Sequence, residues 1–460
     1  MDTRPDIEGW NLFFFFRSTS QVFTSVTGIY VLFGFAILMV LAHLGRWRWF
    51  ILGFALYTSS MCFDWTPYFH TYFLPGFELM VENGRPLTAA LMVILGTTAF
   101  LGLNDVSFKS LSRYGPLMYF VFQIVFCLRL IIGGVITRGV ANFFTDVLVF
   151  WIAVIGTSQW MRRHRDVSFA AWSIAMAGVF FAIVTAIHAV LVPNQIMWQH
   201  RLISTSGTAT FSSEICAITL LPVCYFVARP SLAKIVRVFM GVIAALLVVF
   251  LIWSGTRTGA LMAVIGLLFL FRLKIGRWFV GGIVVCTFVW IALQFFGDAL
   301  IGAGRLLSTQ DTRSGTWLYG LSEFLANPIF GTIRSDVQVV ENSYISIASR
   351  MGVVGMLLFA IIIFQIVSGL VGLHRMRKSI GARTMDIDLI TAGIVSLGVG
   401  AVFEGYLLAA INVQLTSLFI YMTMMCTLLD PAKADISEAQ LEPAEIPYDA
   451  DYSIVAGSFE

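Results

Sequence analysis

Apolar runs of roughly bilayer-crossing length, cut by short polar clusters, recur along the chain from near residue 21 to near Asp430. A helix that crosses a bilayer needs about 20 mostly apolar residues. Thirteen such runs can be read, near 21–42, 47–63, 86–103, 115–136, 141–160, 168–192, 211–228, 236–253, 258–273, 278–296, 343–371, 388–410 and 412–429. The last two are parted only by a weak break around Glu404 to Asn412, so twelve spans also fit. The pattern predicts an all-α, polytopic transmembrane helix bundle occupying residues 1–430. It leaves one long gap, 297–340, too apolar and aromatic for a floppy linker, and a loop of that length in a compact protein is usually functional. Inside it LYGLSEFLA reads as a short amphipathic helix, ended by Asn327-Pro328. The tail 431–460 is acidic, carries Pro431, Pro443 and Pro447, and is expected to be disordered.

Charge placement orients these spans. The clusters GRWR, KSLSR, RRHR, RPSLAKIVR, RLKIGR and HRMRKSIGAR fall in alternate loops and hold 17 of the 29 Lys and Arg residues. Positive loops stay in the cytoplasm. The C-terminal tail is therefore expected inside, the loops at 64–85, 193–210 and 297–340 outside, and, with thirteen spans, the N-terminus outside. The five lysines all fall on the inner side, and the cations of the outer loops are arginines. Arginine keeps its charge and offers a planar fork that matches phosphate oxygens. The first residues lack the usual order of basic, apolar and small-residue regions, so no cleaved signal is expected.

Composition agrees with a membrane chain: 58% hydrophobic, 12% charged, mean hydropathy +0.86. A net charge of +3 over 460 residues argues against a nucleic-acid partner. The six cysteines lie in or beside apolar runs, none as CxxC, and read as small buried hydrophobes. No HExxH, paired His/Cys set or acidic cluster suggests a metal, and no cofactor is expected.

Four outward-facing pieces could carry chemistry. WSGTRTGAL at 253–261 is a tight turn in which Ser254, Gly255, Thr256 and Gly259 would leave Arg257 and backbone amides open to a ligand. TRSGTW sets Arg313 ahead of the loop helix, and NPIFG at 327–331 turns the chain back. In ENSYISIASRMGVVG, a helix would place Asn342, Ser346, Ser349 and Arg350 on one face, with Glu341 at its mouth, where a carboxylate is favoured.

In this order and spacing the half from about 200 to 371 resembles the O-antigen ligase and O-antigen polymerase superfamily of polyprenyl-diphosphate-dependent membrane glycosyltransferases. The carrying residues are Ser254, Arg257, Thr258 and Gly259; Arg313 with Trp317; Asn327-Pro328 with Gly331; and Asn342-Ser343-Tyr344 followed by Gly352 and Gly355. The segment 201–217 matches more weakly, and the first 190 residues add only further spans.

The resemblance implies a metal-independent inverting glycosyltransferase of the bacterial inner membrane, with its site on the periplasmic side. The donor would be a polyprenyl-diphosphate-linked glycan and the acceptor a sugar hydroxyl, with a flippase and a chain-length regulator as candidate partners. It assigns Arg257 and Arg313 to the diphosphate and Glu341 to the base, and places Arg201, Arg334, Trp317, Asn342 and Tyr344 around the substrate. One position departs: the family usually carries a histidine before Asn-Ser-Tyr, and here it is Glu341. That departure favours a polymerase of lipid-linked repeat units over a ligase that moves a finished glycan to a lipid A core or other acceptor. A polytopic transporter or flippase is the rival class.

Each of these residues also has a plainer role. Arg257 could anchor a turn at the headgroups, Arg313 could be a solvated loop cation, and Glu341 could be only a helix-terminal charge. Arg129, inside a span, could snorkel outward or pair with Asp146 or Glu214. Glu404 could face the same cavity or sit in an outer turn. His188 and His200 read as packing or hydrogen-bonding residues.

Overall fold

The computed structural model describes residues 26–43, 45, 47–61, 84–100, 108–164, 167–191, 193, 196–198, 201–272, 313–333, 341–380, 384–408 and 411–430. Every apolar run falls on a helix except 278–296, which lies outside the described residues, as does the tail 431–460. The helices are α1 Val26–His43, α2 Trp47–Ser59, α3 Gly84–Phe100, α4 Phe108–Arg113, α5 Pro116–Ile132, α6 Ile136–Phe150, α7 Thr157–His164 and α8 Ser168–Leu191. They continue as α9 Ala209–Ala228, α10 Lys234–Ser254, α11 Arg257–Leu270, α12 Ser314–Ala326, α13 Ser343–Ile380, α14 Thr384–Phe403 and α15 Val413–Leu428. Among the described residues the only strands are Met197–Trp198 and Arg201–Leu202, a minimal antiparallel pair.

Among the described residues, six segments are long and apolar enough to cross a membrane: Ile136–Arg162, Ser168–Leu191, Ala209–Ala228, Lys234–Ser254, Ser343–Arg377 and Thr384–Phe403. The chain is thus a helical membrane protein. Its outward surfaces fit that solvent. On α10, Ile235 is 79% and Val238 59% exposed, and on α13 Phe364 is 74% exposed. Such faces would be costly in water and are at home in hydrocarbon.

The centre of the bundle is α15. Every residue from Val413 to Leu428 is buried, so this helix has no lipid face to pattern. Asn412 caps it, its Oδ1 accepting from the Leu415 amide at 2.6 Å. Small residues let neighbouring helices approach α9 closely. A Cβ on Gly259 of α11 would lie 2.6 Å from the Ser213 side chain, and one on Gly178 of α8 would lie 2.6 Å from Thr219. The hinge between α6 and α7 is a π-turn, Trp151–Gly156, and the Ala153 carbonyl there accepts from Thr423 of α15 at 3.2 Å.

One long helix is not continuous. In α13, Gly352 has φ 63° and ψ −161°, which breaks the ladder one-quarter of the way along. The chain repairs the break from outside: the Val353 and Val354 amides donate to the carbonyls of Pro328 (2.8 Å) and Ile329 (3.3 Å), and the Thr332 amide donates to Ser349 (2.7 Å). Only glycines allow this seat. A Cβ on Gly352 would meet the Ile329 oxygen at 2.4 Å, and one on Gly331 would meet the Arg350 carbonyl carbon at 2.4 Å. Arg129 completes it, donating to the carbonyls of Phe330 and Gly331, the latter at 3.2 Å. Arg129 therefore pairs with neither Asp146 nor Glu214; Asp146 accepts instead from the Cys127 thiol at 3.3 Å.

The two ends of the bundle carry different ion-pair patterns. At the end where α14 begins, Asp388 accepts from Arg272 at 2.9 Å and from Arg377 at 2.8 and 3.0 Å, and Tyr225 donates to Asp386 at 2.5 Å. The opposite end, where α14 stops and α13 starts, holds the residues that the sequence singles out.

Candidate functional site

The site is built on a stretch of non-helical backbone at 404–408, where the weak break between the last two apolar runs falls. Irregular backbone buried in a helix bundle, as at Tyr406 to Leu408, must find hydrogen-bond partners within the protein. The Leu407 carbonyl accepts from Tyr119 (2.8 Å) and Gln123 (2.5 Å) of α5, and its amide donates to Ser343 Oγ at 3.1 Å. Ser343 in turn donates to the Glu404 carbonyl at 2.6 Å, and Asn412 donates to that of Tyr406 at 3.3 Å. The first residue of α13 is thereby tied to the end of α14, and the Glu404 side chain is fixed beside the entry to α13.

Arg313, the residue before α12, reaches into this junction. Its Nη2 donates to Glu404 Oε1 at 2.5 Å, its Nε lies 3.5 Å from Glu341 Oε2, and its Nη1 donates to the Phe403 carbonyl. The guanidinium also lies over the Phe403 ring, 5.9 Å from its centroid. Glu341 is 48% exposed, whereas Glu404 is 17% exposed. Burial pushes the Glu404 carboxyl up to about 7, although Arg313 pulls it down; the charge of Glu341 adds to the rise. Behind this pair, Glu214 of α9 is fully buried and accepts from Gln414 of α15. Its charge interacts with those of Glu404 and Arg313. Arg313 thus sits among two direct carboxylate partners and a third carboxylate deeper in the bundle.

The other predicted residues divide. Trp317 joins the cluster, donating from Nε1 to the Glu341 carbonyl at 3.1 Å, with its ring 6.4 Å from that of Phe403. Asn342 is the cap of α13: its Oδ1 accepts from the amides of Tyr344 (2.9 Å) and Ile345 (3.0 Å), which leaves its amide group to interact elsewhere. Tyr344 donates to the Gly398 carbonyl at 2.9 Å, a strut between α13 and α14. Arg334 lies outside the described residues.

Arg201 is half-buried and spends its guanidinium on the turn before Arg257, donating to the Ser254 carbonyl at 2.9 Å and to Thr256 Oγ1 at 2.8 Å. That turn is tight, with Gly255 left-handed at φ 62°. Its small residues serve packing: Ser254 and Thr256 are buried, and Gly259 lies against Ser213. The expectation that they open backbone amides to a ligand is corrected accordingly. Arg257 itself is exposed at the start of α11. That helix packs along α14, with Ser396 of α14 donating to the Met262 carbonyl at 2.9 Å.

The structure also adds residues to the site. Glu404 enters as the closest acid to Arg313, and Glu214 with Gln414 as the buried pair behind it. The signal for Glu404 was a charge in the break between two apolar runs. Glu214 and Gln414 are 200 positions apart, and nothing local in the sequence joins them. Comparison with models of known protein families and with curated proteins finds no match to this chain.

Proposed function

We propose that this protein is a metal-independent glycosyltransferase of the bacterial inner membrane that polymerises lipid-linked oligosaccharide repeat units at the periplasmic face. The donor would be a polyprenyl-diphosphate-linked glycan, the acceptor a sugar hydroxyl, and the anomeric centre would invert. The observation that carries this reading is Arg313 held between Glu404 and Glu341 at the mouth of α13. Transfer to a hydroxyl needs a base for its proton and a positive field for the departing diphosphate. A carboxyl that titrates at about 7 suits the first task. Arg313 is already engaged by two carboxylates and a carbonyl, so its role is to orient the acids and lend charge beside the leaving oxygen. Arg257, exposed at the first turn of α11, is the group assigned to the diphosphate. Attachment of a finished glycan to a lipid A core, the ligase reaction, would use the same groups with a different acceptor.

The test is purified protein given a lipid-linked repeat unit without nucleotide sugar or metal. A ladder of longer products is expected, and Arg257→Lys should lose most of it while still inserting. Unchanged donor after prolonged incubation would sink the reading. A second reading, a proton-coupled lipid or polysaccharide transporter, is favoured by one observation: Glu214 is buried in the bundle within electrostatic reach of Glu404, and ionisable residues inside spans mark ion pathways. Transbilayer movement of the glycolipid without lengthening would select it.

A further inference from the structure

The helix α12 packs alongside the start of α13. Trp317 donates to the Glu341 carbonyl at 3.1 Å, and at the other end the Pro328 and Ile329 carbonyls accept from the Val353 and Val354 amides. Residues 317–328 therefore run parallel with 341–353, and α12 covers the part of α13 that precedes the break at Gly352. Exposure shifts at that break. From Ser343 to Gly352 no residue of α13 is exposed, whereas Val353, Val354 and Leu357 all are. Before the break the exposed apolar surface belongs to α12 and its turn: Leu318, Leu321 and Leu325, then Ile329 and Phe330. Spacings of three and four put the three leucines on one helix face. Glu323, the only charge of α12, is two positions from Leu321 and from Leu325 and so lies off that face. Ser322, beside them, donates its hydroxyl to the Tyr319 carbonyl at 2.7 Å.

A loop helix bathed in water turns its leucines inward, onto the protein. This one turns Gly320, which is buried, inward and its leucines outward, Leu325 being 74% exposed. The ridge is also continuous with the lipid-facing surface of two other helices. On one side it meets Val353, Val354 and Leu357 of α13 through the backbone bonds of Pro328 and Ile329. On the other, Arg129 of α5 holds the Phe330 and Gly331 carbonyls, and a Cβ on Gly133, next to the exposed Ile132, would lie 2.7 Å from Ile333. An apolar ridge that prolongs a lipid-facing wall is matched by hydrocarbon rather than by water. We propose that α12 is a membrane-embedded helix: Leu318, Leu321, Leu325, Ile329 and Phe330 contact the acyl chains of the leaflet at that end of the bundle, with Phe330 deepest. The Arg313 junction, just before the first turn of α12, then stands at the lipid boundary rather than in bulk water. This placement does not depend on the transferase reading.

The experiment places the full wild-type chain in phosphatidylcholine vesicles that contain a phosphatidylcholine analogue with a photoactivated diazirine on its acyl chain. Labelled residues are read by peptide mass spectrometry. Label on the 318–330 stretch is expected to come within about threefold of that on Val353–Leu357 of α13, and to fall from Phe330 towards Leu318. A second measurement uses single substitutions and a membrane-impermeant maleimide, read on the same peptides. Because the thiolate forms in water and not in hydrocarbon, Glu323→Cys should react about tenfold or more faster than Leu325→Cys. Diazirine label on α13 with none on 318–330 would overturn the proposal and leave the ridge to a second copy or another protein. Equal maleimide rates at the two cysteines would overturn it as well. Neither readout involves a glycan or turnover, so failure of glycosyl transfer leaves the result standing.

Discussion

The two ends of the bundle hold the same kinds of residue in opposite proportion. Where α14 begins, one carboxylate, Asp388, receives two arginines, Arg272 and Arg377. Where α14 ends, one arginine, Arg313, faces two carboxylates, Glu404 and Glu341, with Glu214 behind them. Arginine does not lose its charge in any ordinary pH range. An acid held by two arginines is therefore a fastening. An arginine among several acids cannot neutralise all of them, so one carboxyl is left to titrate. Burial selects Glu404 for this, raising it to about 7. One end is fastened by its ion pairs, and on the proposed function the other exchanges a proton.

That contrast can be broken most sharply at Arg313. Arg313→Ala leaves Glu404 and Glu341 without their common cation, and product formation should fall about 100-fold or more in inserted protein. A variant with near wild-type ladders would show that the junction is not the reactive end. Asp388→Asn tests the other side. It leaves Arg272 and Arg377 facing each other, and a loss of about 2 kcal/mol of stability is expected, after allowing for their partial exposure. Thermal unfolding should report this loss, and turnover per folded molecule should not change.

A smaller effect sharpens the pH side of the comparison. Wild-type activity should rise as pH passes through about 7, where Glu404 ionises. Stability should move the other way. Unfolding frees Glu404 to titrate at the ordinary carboxylate value, so the folded protein loses stability as pH rises from there to about 7, and is flat above. Glu404→Gln should lower activity about tenfold at pH 8 and abolish both dependences; an unchanged pH profile would give the proton to another group. The smallest change expected is at Asn342. Asn342→Ala should cost about 1 kcal/mol by uncapping α13, and Asn342→Asp, which also caps, should restore it. If Asp restores stability but not turnover, the free amide group of Asn342 touches substrate.

Much of this was legible in the chain. The apolar runs located the helices because a bilayer imposes one length and one polarity on every span. The helix at 314–326 and its stop at Asn327 followed from an amphipathic stretch and Asn-Pro chemistry. The break at Glu404 was marked by a charge between two apolar runs. Less legible was the interruption of α13. Gly352 and Gly355 both sit in an apolar run that reads as unbroken, and only the seat of Pro328–Gly331 shows which glycine must leave helical geometry. Arg129 shows the same limit: its partners are backbone carbonyls, and carbonyls have no sequence signature.

The sequence by itself determined that the protein is a membrane helix bundle and that arginines and acids cluster near certain helix ends, since these follow from local composition and periodicity. Only the tertiary structure decided which charges meet. Arg313 and Glu404 lie 91 residues apart, and Glu214 and Gln414 lie 200 apart. Their contact depends on how α9, α13, α14 and α15 pack, which small residues and buried hydrogen bonds fix over the whole bundle. The proportion of acid to arginine, on which the proposed chemistry rests, is a property of that packing.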